Sequence, residues 1–371
     1  MIRIGRIALM PCTFPKYTHP DFDQNVFKNA PNCTSLKVTE DGVAPKNFHS
    51  TSIYPEYFKV DGEWILPSGS RMDCVPMIDE NKNIKIIEFR NLKVGDEVVV
   101  GRTEDASEGI FLHKNGFKPK NMNTDNFTFR GGRSRETAFS KDYDRLYERL
   151  KHDRDNGHIV WVLGPAVVFD FDSRKALSCL IEKGFVHALL AGNALATHDL
   201  EGGFLETALG QNIYTQESVP NGHYNHLDLI NEVRRSGSIE NFIKEGNVKD
   251  GVIKTCIENN VPLVLAGSIR DDGPLPSVYG NAYDAQDAMR VQTRKATTVI
   301  CLATTLHTIA SGNMTPSYTF KDGNVRPVFI YSVDISEFAV NKLGDRGSLE
   351  VTSIVTNVQD FMVHLKNNLV I

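Results

Sequence analysis

From residue 143 onward the chain alternates between two hydrophobic periods. Short, nearly unbroken apolar runs occur at 159–163, 188–191, 261–266, 297–302, 328–333 and 349–355. Between them, apolar residues recur every three to four positions. The runs predict buried strands. The intervening stretches predict helices at 143–156, 173–183, around 200–209, and at 227–236, 239–244, 251–259, 283–295, 306–311, 335–343 and 358–367. Strands that are continuously apolar belong to sheets covered on both faces. The pattern therefore predicts an α/β fold, a doubly wound and mostly parallel Rossmann-like sheet over 143–371.

Residues 1–112 have a different texture. Short β-type runs at 57–60, 64–66, 74–78, 84–89 and 97–100 are separated by turns such as Asp61-Gly62 and Gly95-Asp96. Their regular spacing predicts a β-rich N-terminal domain, a small antiparallel sheet or barrel. The first residues, with a short apolar patch, are expected to form a strand rather than a secretory signal. Residues 113–142 show little periodicity and read as a linker, most flexible at Gly131-Gly132. Its basic cluster of Arg130, Arg133 and Arg135 is either solvated or a contact for an anion.

Charge and cysteine usage narrow the classes. The chain has 371 residues, with 41 Lys and Arg against 46 Asp and Glu, a net charge of -5. That balance gives no footprint for nucleic acid. No apolar run reaches the roughly 18–20 residues needed to span a bilayer. The six cysteines are scattered with no Cys-x-x-Cys pair. This pattern suits reduced thiols in a cytoplasmic protein.

Polar residues concentrate where the apolar runs end, the edge at which open α/β sheets bind ligands. The most crowded tip follows 261–266. Ser268, Arg270, Asp271 and Asp272 fall within five residues, beside Gly267 and Gly273. Asp271 and Asp272 are candidate acid/base groups: one carboxylate can pair with Arg270 while a buried neighbour takes up a proton. A second tip, Gly192-Asn193-Ala194, offers close backbone approach and an amide. His198 follows as a candidate proton shuttle, beside Asp199, which at a helix start would act as a cap.

A G-x-G-x-x-G string is absent. Gly164-Pro165-Ala166 ends the first parallel strand, either approaching a phosphate or making a plain turn. Asp334 closes another apolar run, placed to accept both ribose hydroxyls of a dinucleotide or to cap the next helix. Thr304, Thr305 and His307 stand at a helix start, and Asp345-Arg346-Gly347 forms a further tip. Together these tips exceed what capping needs and fit a dinucleotide. His223 and His226, with Asp228 nearby, are metal-compatible in type. Polar contact with substrate is the reading taken here, shared with Asn225 and Arg270, and no metal is expected.

These strings resemble the archaeal-type ornithine cyclodeaminase family, also known as the LOR/SDH conserved region. The resemblance rests on GPAVV (164–168), LLAGNALATHDLE (189–201), GSIRDDGPLP (267–276), AQDAMR (285–290), LATTLHTIASGNMTPS (302–317) and KLGDRGS (342–348). DGVAPKNFHST (41–51), MDC (72–74) and VGDEVVVG (94–101) add to it in the N-terminal half. It implies a deoxyhypusine-synthase-like Rossmann domain with NAD bound, and conversion of ornithine to proline with loss of ammonia. It also implies a homo-oligomer acting on a small amino acid. Carried over by position, Asn193, Ala194, Asp272, Thr304, Thr305, Leu306, His307 and Asp345 become cofactor contacts. Gly164, Pro165, Ala166, Gly273 and Asp334 join them as strand-tip candidates. The chain departs from the family directly after GPAVV, where Phe169 replaces the usual histidine. Three other readings stay open: a close paralog acting on another amino acid, an opine- or saccharopine-type amino-acid oxidoreductase, and an NAD-binding protein without catalysis.

Overall fold

The computed structural model describes residues 14–117, 140–271, 273–321, 323–335 and 348–370. The expected first strand, the basic cluster of the linker, Asp272, Asp345 and most of the helix expected at 335–343 lie outside the described residues.

The N-terminal region begins with a one-turn helix α1 (Asn25–Lys28) and holds β1 (Thr34–Lys37), β2 (Glu56–Val60), β3 (Glu63–Ile65), β4 (Val75–Ile78), β5 (Ile84–Ile87), β6 (Glu97–Val100) and β7 (Ile110–Leu112). They form two antiparallel sheets, ordered β1-β6-β4-β5 and β3-β2-β7. Phe58, Ile84, Val99 and Ile110 fill the space between them. The β-rich expectation is met, with β1 and β7 in addition to the strands read from periodicity.

Beyond α2 (Ser140–Asn156) the chain lays down β8 (Ile159–Leu163), α3 (Phe171–Glu182), β9 (Ala188–Gly192) and α4 (Asn193–Leu205). A two-residue hairpin, β10 (Thr207–Ala208) and β11 (Gln211–Asn212), precedes α5 (Asn225–Ser236), α6 (Ile239–Lys244) and α7 (Val252–Glu258). Then come β12 (Leu263–Ala266), α8 (Ala282–Thr293), β13 (Thr298–Leu302) and α9 (Thr305–Met314). A hairpin of β14 (Tyr318–Lys321) and β15 (Asn324–Pro327) leads to β16 (Phe329–Asp334), β17 (Glu350–Val355) and α10 (Val358–Leu369).

Six of these strands form one sheet in the order β12-β9-β8-β13-β16-β17, every pair parallel. Counted along the sheet this is 3-2-1-4-5-6, the Rossmann order. Each central strand is buried on both sides, and its residues alternate between two cores. Ile159, Trp161 and Leu163 face a layer built from α2, α3 and α10. Val160 and Val162 face α8 and α9. Trp161 is fully buried, and its Nε1 donates to the Phe185 carbonyl at 2.9 Å, so the large ring enters the core with its polar atom satisfied. No helix among the described residues is long and apolar enough to cross a membrane.

The β14–β15 hairpin leaves the parallel sheet and packs into the N-terminal region. Tyr318 and Val325 share an aromatic cluster with Tyr17 and Tyr57. The Tyr318 hydroxyl donates to the Pro67 carbonyl at 2.7 Å. Arg71 reinforces this contact, donating to the Asn313 carbonyl at 2.8 Å and pairing with Glu88.

One boundary differs from the periodicity reading. Helix α4 starts at Asn193, immediately after β9, and not near residue 200. His198 and Asp199 therefore sit inside a helix and point to different surroundings. Asp199 caps no start of its own helix. It receives the Arg174 Nε at 2.9 Å and the Ile253 backbone N–H at 2.7 Å, so it anchors the start of α7.

Candidate active site

The strand order reverses between β8 and β13, which opens a crevice beyond their C-terminal ends. Gly164 and the Ala303-Thr304 pair meet at that point. A Cβ on Gly164 would lie 1.9 Å from the Ala303 carbonyl oxygen, so only glycine lets the two tips come this close. Pro165 and Ala166 continue as a 3-10 turn. The Ala166 carbonyl accepts from Gln359 Nε2 at 3.1 Å, which pins the turn to α10.

Helix starts in this chain differ in whether a side chain caps them, and those of α1, α5 and α7 lack such a cap. Helices α3, α6, α8 and α10 each carry a side-chain cap, from Asp170, Ser238, Asn281 and Asn357. Helix α4 begins at Gly192 and α9 at Thr304, and neither start has a side-chain cap. The open N–H groups of these two turns belong to Asn193 and Ala194, and to Thr305, Leu306 and His307. Such starts favour an anionic phosphate. Gly192 brings the two together: a Cβ there would stand 3.4 Å from His307 Cε1. Burial holds the His307 imidazole below its ordinary range, so it is neutral near pH 7. Three aliphatic side chains, Ile269, Leu306 and Ile335, stand exposed just past β12, β13 and β16. They give this edge an apolar rim suited to ring faces. Uncapped helix starts, a glycine cradle and an apolar rim together fit a dinucleotide. Asp334 ends β16, where its backbone carbonyl accepts from Thr356 at 3.1 Å.

Beside this edge lies a cavity of about 510 Å³. It gathers residues from three separated segments: Asn193, Ala194 and His198 from α4, His226 from α5, and Arg270, Asp271 and Gly273 from the turn after β12. Thr197, Leu227, Ile230 and Arg234 complete much of the wall. Asn193 ties α4 to the turn. Its Oδ1 accepts from the Leu275 N–H at 3.0 Å, and its Nδ2 lies 3.5 Å from Asp271 Oδ1. Asp271 Oδ2 accepts from the Ser268 N–H at 2.8 Å. Both oxygens of Asp271 thus shape the turn. Arg270 forms no ion pair among the described residues and lines the cavity. Arg234 closes the far side, donating to the Pro274 carbonyl at 2.8 Å.

His198 has the most specific surroundings. Its Nδ1 is 2.9 Å from Glu201 Oε2, an i,i+3 pair on α4. Glu201 is fully buried, and its other oxygen accepts from the Thr207 hydroxyl at 2.7 Å. Thr207 in turn accepts from Asn225 Nδ2 at 2.8 Å. The Phe169 ring packs edge-on against His198, with centroids 5.6 Å apart, and His226 lies 6.3 Å away. Asn225 therefore reaches the site through Thr207 and does not line the cavity. His223 does not line it either: its ring packs on Tyr224, with centroids 4.2 Å apart. Sequence reasoning missed Glu201, Thr207 and Arg234. The three-residue offset from His198 to Glu201 was the available signal once helix is assigned from Asn193.

A six-stranded sheet in Rossmann order, dinucleotide-fitting helix starts at its switch point and an acid/base cavity alongside define a Rossmann-fold protein of the dinucleotide-binding type. Comparison with known proteins narrows the class. Residues 144–365 match the family model described as arginine dihydrolase ArgZ-like, C-terminal, Rossmann fold. The chain is 39% identical over 331 residues to an ornithine cyclodeaminase of Methanopyrus kandleri, covering 89% of this chain and 76% of that one. A LOR/SDH protein of Methanococcus maripaludis, known from its crystal structure, superposes with a TM-score of 0.82 at 35% identity, over 91% of this chain and 98% of the other. AgrE, crystallised as a ternary complex with ornithine and NAD+, superposes with a TM-score of 0.56 at 32% identity, over 92% of this chain and 46% of AgrE. The chain belongs to the ArgZ-like ornithine cyclodeaminase family. The resemblance read from its sequence strings is borne out, as is the Rossmann-like class, and a family member holds the expected cofactor.

Proposed function

We propose that this chain is an NAD-dependent cyclodeaminase that converts ornithine to proline and ammonia. The observation that carries the proposal is the cavity joining His198, Asp271 and Arg270 to the uncapped start of α4. The structure of AgrE with ornithine and NAD+ supports both ligands. NAD, when bound, supplies a hydride acceptor that also gives the hydride back, so ornithinium yields proline and ammonium with no net redox change.

The chain's own residues serve the other needs of the reaction. Asn193, Ala194, Thr305, Leu306 and His307 would hold the phosphates and rings at the sheet edge. Arg270 offers a guanidinium for the substrate carboxylate, a pairing that favours fixed orientation. Asp271 presents a carboxylate to an ammonium group, and His198 exchanges protons at its cavity-facing side. Leu227 and Ile230 form an apolar wall that limits water near reactive imines. We place the enzyme in the cytoplasm and expect a homo-oligomer.

The test is incubation of purified protein with ornithine, with and without added NAD, while proline, ammonia and NADH are measured together. Equal proline and ammonia without NADH accumulation is the expected result. Stoichiometric NADH would instead indicate a net dehydrogenase. Consumption of NADH with an amino acid and a keto acid would indicate an opine-type enzyme. Retained NAD with no turnover of any amino acid would leave a binding protein.

A further inference from the structure

We infer that Glu201 is a positioning residue that fixes the tautomer of His198, through a buried hydrogen-bond chain running from Asn225 by way of Thr207. The inference rests on the cyclodeaminase reading only for its kinetic consequence, since the chain of bonds itself can be tested without substrate.

The polarity of the chain follows from its chemistry. The Asn225 amide nitrogen can only donate, so the Thr207 oxygen accepts from it at 2.8 Å. The single Thr207 proton then points to Glu201 Oε1 at 2.7 Å. Glu201 is fully buried, and as a carboxylate it can only accept. The atom 2.9 Å from its second oxygen, His198 Nδ1, must therefore carry a proton. Neutral His198 is left with its lone pair on Nε2, which has no partner among the described residues. His198 lines the cavity, so that lone pair is the basic atom offered to a substrate.

Two further features hold the ring. Phe169 stacks edge-on against it at 5.6 Å, which restricts rotation without competing for a proton. The i,i+3 spacing on α4 fixes the Glu201–His198 separation through a helix buried nearly all round. Nε2 takes a proton from the substrate ammonium, the imidazolium is balanced by the Glu201 carboxylate, and the proton returns to the departing ammonia. A carboxylate beside histidine sets orientation and tautomer in this way in other enzymes, and replacing it by the amide is costly because the wrong nitrogen is protonated.

The substitution Glu201→Gln tests the inference. The glutamine carbonyl still accepts from Thr207, so its NH2 faces His198 Nδ1 and demands the opposite tautomer. Two measurements on the full chain read the outcome. Nitrogen-15 NMR of labelled histidine at pH 8.5, with His198 assigned by its loss in His198→Gln, should show Nδ1–H in the wild type and Nε2–H in Glu201→Gln. With ornithine, kcat should fall roughly 100- to 10,000-fold while KM and NAD content change less than about threefold. Glu201→Asp, which keeps the charge, should recover part of kcat. An Nε2–H tautomer in the wild type, or an unchanged kcat in Glu201→Gln, overturns the inference. If the wild type makes no proline, the functional reading fails while the NMR result still decides the tautomer. Should Glu201→Gln not fold, Thr207→Val loosens the same carboxylate. It should shift the acidic limb of the kcat–pH profile, and an unmoved profile counts against the positioning role.

Discussion

Replacing Asn193 by aspartate changes one atom type at the junction of helix start, turn and cavity, and its effect can be worked from the geometry. The Oδ1 that accepts from the Leu275 N–H at 3.0 Å is retained. The amide nitrogen 3.5 Å from Asp271 Oδ1 becomes a second carboxylate oxygen. Two full charges at that separation repel by about 5 kcal/mol at an effective dielectric of 20. The cavity is open to water, so about 1–3 kcal/mol survives screening. The new charge also faces the start of α4, where phosphate is expected. NAD affinity at pH 8 should fall about 10- to 100-fold relative to the wild type, with a thermal midpoint lower by a few degrees. A neighbouring like charge raises the pKa of the introduced carboxylate, and protonating that group removes the charge facing the phosphate, so the ratio of mutant to wild-type affinity should recover as pH falls towards 5.5. Calorimetric titration with NAD at both pH values measures this. Equal affinity at pH 8, or a deficit unrelieved by acid, would refute the placing of phosphate at this helix start.

Two further outcomes follow from buried charge. Arg174→Met leaves Asp199, which is fully buried, without its guanidinium. Stability in urea should drop by about 3–5 kcal/mol, and Asp199→Leu in the same chain should restore much of it. The second concerns acid. Burial, with the neighbouring His187 adding to it, lowers the His158 imidazole from its ordinary value to about 4. The native state thus refuses a proton that the unfolded state accepts near pH 6.5. Stability is complete above that value and is lost as pH falls from about 6.5 towards 4. Partial exposure reduces the full shift to about 1–2 kcal/mol. Urea melts at pH 7.5 and 5.0 should show this loss, and His158→Gln should flatten it.

How much of this was legible depended on whether an element shows water a polar face. The parallel strands were readable because each is an unbroken apolar run ending in polar residues, and those ends converge on one edge. Helix α4 was misplaced because it shows almost no polar face: Asn193, Leu195, Ala196, Thr197, Asp199, Leu200 and Glu201 are all buried. A helix buried all round has no amphipathic period to detect. Its two glycines deepen the disguise, yet they sit there for contact. A Cβ on Gly203 would stand 2.2 Å from the Asp250 carbonyl oxygen. The same burial hid Glu201, since a carboxylate near the start of the helix expected around 200–209 reads as a solvated charge. Asp271 was legible as a candidate and lines the cavity, but its engagement with Ser268 and Asn193 was not legible, because turn bonding depends on backbone angles that composition does not encode. His223 and Asn225 shared a promising string with His226, and only the geometry separates the three.

The β14–β15 hairpin makes the chain's own synthesis part of its architecture. Tyr318 reaches back 251 positions to Pro67 and fills the aromatic cluster around Tyr57. When residues 14–117 leave the ribosome, their sheets can pair, but that cluster lacks two of its buried members. Completion waits until the parallel sheet has been made almost to β16. Contacts this distant in sequence are slow to form. For most of translation the N-terminal region therefore carries an open apolar face, which makes that interval the time when the nascent chain most needs protection from aggregation.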